Sequence, residues 1–168
     1  MQTPFPFHTD MKREATFSSC QSYRYSLLRE WSATQSKVLF IGLNPSTADA
    51  TMDDPTIRRC IGFAKAWGFG GLYMGNLFAF RSTEPRGLLR ASDPVGPDND
   101  AMLLKLTQRV SLVVAAWGNH GVLMDRASHV RGLCGPLSVL KINRSGQPAH
   151  PLYLKKDLKP TPWVESHT

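Results

Sequence analysis

The chain has 168 residues, 42% of them apolar and 20% charged, with a formal net charge of +7. That length fits one domain with a core large enough to fold without disulfides or metal, and the balance argues against long disorder. No stretch approaches the apolar length of a membrane span, and the basic excess favours polyanionic partners, although part of it lies towards the ends at Lys12, Arg13, Lys155, Lys156 and Lys159.

Residues 1–20 read as an N-terminal arm, with Pro4 and Pro6 breaking regular structure and no basic start followed by an apolar run. Residues 21–158 read as a single domain and 159–168 as a Lys- and Pro-rich tail. In YRYSLLREW, Tyr23, Tyr25 and Leu27 alternate with Arg24 and Ser26, which predicts a half-buried edge strand. The apolar run Val38–Ile41 predicts a buried strand that stops at Gly42. Asp54 followed by Pro55 predicts a helix start, because the carboxylate accepts an orphan N–H and proline has none to lose. Ile57, Ile61, Ala64 and Trp67 would form that helix's inner face.

The alternation continues. GLYMGNLFAF reads as a strand, DNDAMLLKLTQR as a helix with Met102, Leu103 and Leu106 inward, and VSLVVAAWG as a strand. Residues 120–133 read as a further helix, and LSVLKIN as a fourth strand. Strands and helices in alternation predict an α/β three-layer sandwich. Its sheet would be central, mostly parallel and four-stranded, with an N-terminal edge strand and helices on both faces.

Ligands in such sheets bind outside the carboxyl ends of the strands. Here those ends carry the loops LNPSTAD, NLFAFRST, WGNHG and GQPAHPLYL. Gly42 allows close approach to the backbone, Asn44 offers an acceptor and two donors, and Pro45 stiffens the loop. Ser46, Thr47 and Asp49 suit either a phosphate-binding turn or plain helix capping. Asp53 and Asp54 read as helix caps rather than magnesium ligands, and no metal or cofactor is expected. Asn76, inside an apolar strand, must bond neighbouring backbone or face a ligand. Arg81 suits a phosphate, and His150, fixed between Pro148 and Pro151, suits a positioned donor. Trp117 reads as core; His120 and His129 read as incidental surface groups. Cys20, Cys60 and Cys134 are odd in number, form no CxxC pair and sit in none of these loops, so reduced thiols in a cytoplasmic protein are expected, without a thiol nucleophile.

The segments YRYSLLREW, FIGLNPSTAD, DDPTIRRC, NLFAFRSTEP, DPVGPDND, AWGNHG and GQPAHPLYL resemble domain-of-unknown-function family 1643, whose activity is not established. The order of the loops is also similar, more distantly, to that of the uracil-DNA glycosylase superfamily. Gly42-Leu43-Asn44-Pro45, Asn76, Trp117-Gly118 and His150-Pro151 stand where that superfamily has its strand-end motifs. That resemblance implies the same fold and a site for nucleic acid or a nucleotide. It implies that Asn44 places the attacking water, that Asn76 reads a flipped base, and that His150 donates to the base oxygen on cleavage. It also implies Tyr153 as a stacking surface and Leu154 as a wedge. The sequence departs from the pattern in having Asn44 where the most active branch has Asp, and Leu152 where a serine is usual. The expected function is therefore a nucleic-acid or nucleotide site with N-glycosidic base removal from DNA as its specific form. A non-catalytic binding module and a small-molecule nucleoside or nucleotide hydrolase remain the alternatives.

Overall fold

The structure is a computed structural model that describes residues 11–164; the start of the arm and the end of the tail lie outside it. Among the described residues the sheet has seven strands. They are β1 (Lys12–Phe17), β2 (Arg24–Glu30), β3 (Lys37–Gly42), β4 (Gly71–Asn76), β5 (Leu112–Ala115), β6 (Ser138–Val139) and β7 (Thr161–Pro162), in the order β1-β2-β4-β3-β5-β6-β7. The expected four-stranded, mostly parallel sheet is thus a mixed, seven-stranded one. The run β4-β3-β5-β6 is parallel, but β1, β2 and β7 are added antiparallel at its edges. A short connection can join only antiparallel neighbours. The tight Ser18–Tyr23 turn therefore makes β1 and β2 a hairpin, closed by Ser18 N donating to Tyr23 O at 2.9 Å.

The helices are α1 (Pro55–Ala66), α2 (Arg86–Arg90), α3 (Asn99–Thr107) and α4 (Arg126–Cys134). Side chains alternate across a strand, and β3 shows it. Val38 and Phe40 pack with Ile57, Cys60, Phe63 and Ala64 of α1, whereas Leu39 and Ile41 pack with Leu103 and Leu106 of α3 and Ala127 and Val130 of α4. Helices thus cover both faces. The start of α1 is as expected: Asp54 accepts from Ile57 N at 2.8 Å with Pro55 in the first turn. Its buried face is rotated from the expected one: Cys60 and Phe63 are buried with Ile57 and Ala64, and Trp67 stacks on Phe40 of the sheet and on Phe63. Among the described residues no helix is long and apolar enough to cross a membrane.

Two other expectations change. The helix expected over 120–133 is a 3-10 segment (Asn119–Asp125) followed by α4, with Met124 and Asp125 left-handed between them. The half-buried edge strand is β2, which is neither half-buried nor at the edge. It lies between β1 and β4, and Arg24, Ser26 and Arg29 are buried along with its apolar residues.

Candidate functional site

Strand β3 leads into α1 on one face of the sheet, while its neighbour β4 leads through α2 to α3 on the opposite face. Chains that leave adjacent strands in opposite directions open a crevice between the strand ends. Gly42 and Asn76 stand side by side at that point, as the last paired residues of β3 and β4. A cavity of about 380 Å³ opens there, within the usual range of small-ligand pockets. It is lined by residues from all four expected loops, among them Gly42, Asn44, Ser46, Asn76, Trp117, Gly118 and His150.

Asn76 is 3% exposed, and its Nδ2 has no hydrogen-bond partner among the described residues. Its backbone is fixed: Asn99 Nδ2 donates to Asn76 O at 2.9 Å and to Leu77 O at 3.1 Å, and Arg126 Nε donates to Leu77 O at 3.0 Å. A buried amide lacking a partner costs about 1–3 kcal/mol. The strand end is therefore held rigid while one end of its side chain waits for an acceptor.

Asn44 donates both amide hydrogens, to Pro45 O at 3.1 Å and Ser82 O at 2.8 Å. These two bonds hold the side chain in one orientation, and Asn44 lines the cavity. His150 sits at the rim, where its Nδ1 accepts from Leu152 N at 3.2 Å. A nitrogen that accepts carries no proton, so in the neutral ring the hydrogen is on Nε2. Partial burial lowers the His150 pKa below 6.5, more than the nearby Asp54 carboxylate raises it. At neutral pH His150 is thus an uncharged Nε2–H donor.

Three polar residues of the cavity, Asp54, Arg24 and His120, were not singled out as binding groups from the sequence. Asp54, expected as a cap, does cap α1, and its carboxylate also lines the cavity within electrostatic reach of His150 and Arg24. Arg24, expected on a solvent face, is 2% exposed and lines the cavity. Because β2 runs antiparallel to β4, its first residue and not its last lies at the carboxyl edge of the parallel strands, with Arg24 N donating to Ala79 O at 2.9 Å. No local signal distinguishes that arginine from a solvated one; only the strand order does. His120, read as incidental, also lines the cavity.

The remaining expected residues lie off the cavity. Pro45 is buried, its carbonyl accepting from Ser82 N at 3.0 Å, and Thr47 is exposed. Arg81 donates to Gln21 O at 3.1 Å and lies over the Phe17 ring at 4.8 Å, so it braces the β1–β2 hairpin. Tyr153 is 91% exposed on the short 3-10 turn Pro151–Tyr153, and Leu154 packs against the core beside α1. Trp117, part of the cavity wall, is also core as expected, its Nε1 donating to Gln147 Oε1 at 2.8 Å.

The model of a family described as protein of unknown function, DUF1643, matches residues 24–152, from Arg24 of the cavity wall to the turn after His150. The chain belongs to the DUF1643 family. No curated protein and no solved structure was found to match it. In this DUF1643 chain the matched segment contains every cavity-lining residue named above.

Proposed function

We propose that the cavity takes a base of nucleic acid or of a nucleotide, and that the protein hydrolyses the N-glycosidic bond of that base in DNA. The observation that carries this reading is the buried Asn76 amide, unpaired at one end and sharing a base-sized cavity with the neutral donor of His150 and the carboxylate of Asp54. The order of the four loops, which resembles that of the uracil-DNA glycosylase superfamily, and the net charge of +7 support it.

The chemistry follows from these groups. Asn44 Oδ1 accepts from a water and aims it at C1′; the carboxylate of Asp54 takes the water's proton as the C1′–O bond forms. The C1′–N bond breaks, and the base departs with the bonding pair. Charge that develops on a base oxygen meets the Nε2–H of His150, and such a donor is worth most in a site that excludes water. A base within a duplex must leave the stack to reach the cavity, and the exposed Tyr153 beside the rim offers a surface for a neighbouring base.

Incubation with uracil-, hypoxanthine- and mismatch-containing oligonucleotides, followed by alkali, tests the proposal. Strand breaks at the altered base are expected. A panel left intact removes the glycosylase reading, and salt-sensitive binding without product would then favour a non-catalytic module.

A further inference from the structure

Arg24 is a buried cation that the chemistry above does not use. Its Nη1 donates to Ala48 O at 2.9 Å; its buried Nε takes no partner among the described residues, and it forms no ion pair there. Burial is the main influence on its pKa and pushes it down to about 10; Asp54 pulls it up, while Arg81 and Arg29 press it further down. It therefore stays charged at neutral pH. An unpaired buried guanidinium is costly unless something completes it.

The position of the unpaired atoms is informative. Three buried side-chain atoms lack a partner among the described residues: Arg24 Nε, Asn76 Nδ2 and Asn99 Oδ1. The two donors both belong to walls of the one cavity, Arg24 from β2 and Asn76 from the neighbouring β4. The Nε–Nη2 edge of a guanidinium is a rigid fork whose two parallel donors match two oxygens of an oxyanion. A single neutral carbonyl would fill only half of it.

We infer that Arg24 holds an oxyanion of the ligand, a nucleotide phosphate, through paired hydrogen bonds from Nε and Nη2. This rests on the proposed nucleotide site and names the part of the ligand that the base-directed residues leave unaddressed. The phosphate belongs either to a free nucleotide or to a strand. In both cases it lies on the β2–β4 side of the cavity, away from His150 on the β5–β6 side.

The test compares ligands that differ only in charge. Titration calorimetry on the full chain would pair each nucleoside 5′-monophosphate, those of deoxyuridine and deoxyinosine included, with its nucleoside. A second pair would set a single-stranded oligonucleotide against the same strand with neutral methylphosphonates flanking the altered base. At least one charged ligand is expected to bind tenfold or more tightly than its neutral counterpart, and Arg24→Gln is expected to abolish that preference. A preference below tenfold in both pairs overturns the inference, as does an undiminished preference in Arg24→Gln. If that variant fails to fold, the wild-type pairs decide alone. A preference confined to mononucleotides assigns the phosphate to a free nucleotide, and one confined to strands assigns it to a phosphodiester. An Arg24-dependent preference without base release removes the glycosylase reading and keeps this one. Base release without any preference overturns only this one.

Discussion

Gly42 and Asn76 lie opposite one another in the parallel pairing of β3 and β4, and a methyl group on Gly42 would come within 2.9 Å of Asn76 Oδ1. The glycine is there for space rather than for an unusual backbone angle, since its φ is not positive. Gly42→Ala should therefore push the Asn76 amide from its place. Overpacking of this kind costs about 1–3 kcal/mol, and ligand binding should fall more than stability does. Denaturant midpoints beside calorimetric affinities measure the two; unchanged affinity would mean that the amide does not face the ligand.

Asp54 has two tasks that substitution separates. Asn is also a good N-cap, so Asp54→Asn should stay within about 0.5 kcal/mol of the parent, whereas Asp54→Ala should lose about 1 kcal/mol. If the carboxylate takes the proton of the attacking water, both variants should lose base release by about 100-fold or more. Single-turnover assays on both variants check this, and wild-type rates in Asp54→Asn would leave Asp54 as a cap only.

The pH dependence of His150 has a definite sign. Its folded pKa lies below the ordinary 6.5, so between the two values the unfolded chain binds the extra proton. Its contribution to stability is present above pH 6.5 and is lost as pH falls through the folded pKa. Its neutral-donor form declines over the same range, so base release should weaken on acidification below pH 6.5 and not above it. An NMR titration of the His150 ring should give a midpoint below 6.5, and a higher one would contradict the assigned environment.

Arg29 is fully buried and pins the loop before α1. Its Nε donates to Asp53 Oδ1 at 2.8 Å, and its Nη2 donates to Asp49 O at 2.6 Å and Met52 O at 3.2 Å. Arg29→Met should cost less than the roughly 3–5 kcal/mol of breaking a fully buried pair, because Asp53 is only partly buried and keeps Arg13 as a partner. Asp53 keeps a lowered pKa: burial opposes this, but hydrogen bonds from Arg29 and Arg13 outweigh it. Its share of stability is present above the ordinary 3.8 and is lost as pH falls through its folded value. Urea denaturation from pH 2 to 7 should show that loss in the parent and a smaller one in Asp53→Asn.

The thiols should react in a fixed order. Cys20 is exposed, and hydrogen bonds chiefly from Ser18 and Ser22 lower its pKa to about 7. Burial raises that of Cys134 to about 11 and pushes the Cys60 thiol up further still. At pH 7.5 iodoacetamide should label Cys20 first, Cys134 slowly and Cys60 only on unfolding, since the thiolate is the nucleophile. Peptide mass spectrometry reads the order directly.

Much of the architecture was legible in the residue pattern because its signals are local. The apolar run at Val38–Ile41 is a strand since it can bury both faces, and Asp54-Pro55 starts a helix since it satisfies or removes orphan donors. The loops at the strand ends followed from alternation alone, and with them Asn44, Asn76 and His150 as residues of one cavity. What the pattern could not contain is which strand lies beside which. Strand order and direction depend on contacts between segments far apart in the chain, and these bring the first residue of β2 to the carboxyl edge of β4. That placement turns Arg24 from an apparent solvent residue into a buried cation. It likewise gives the cap of α1 a second face towards His150, because a side chain's surroundings are set by the whole packed molecule and not by its neighbours in sequence.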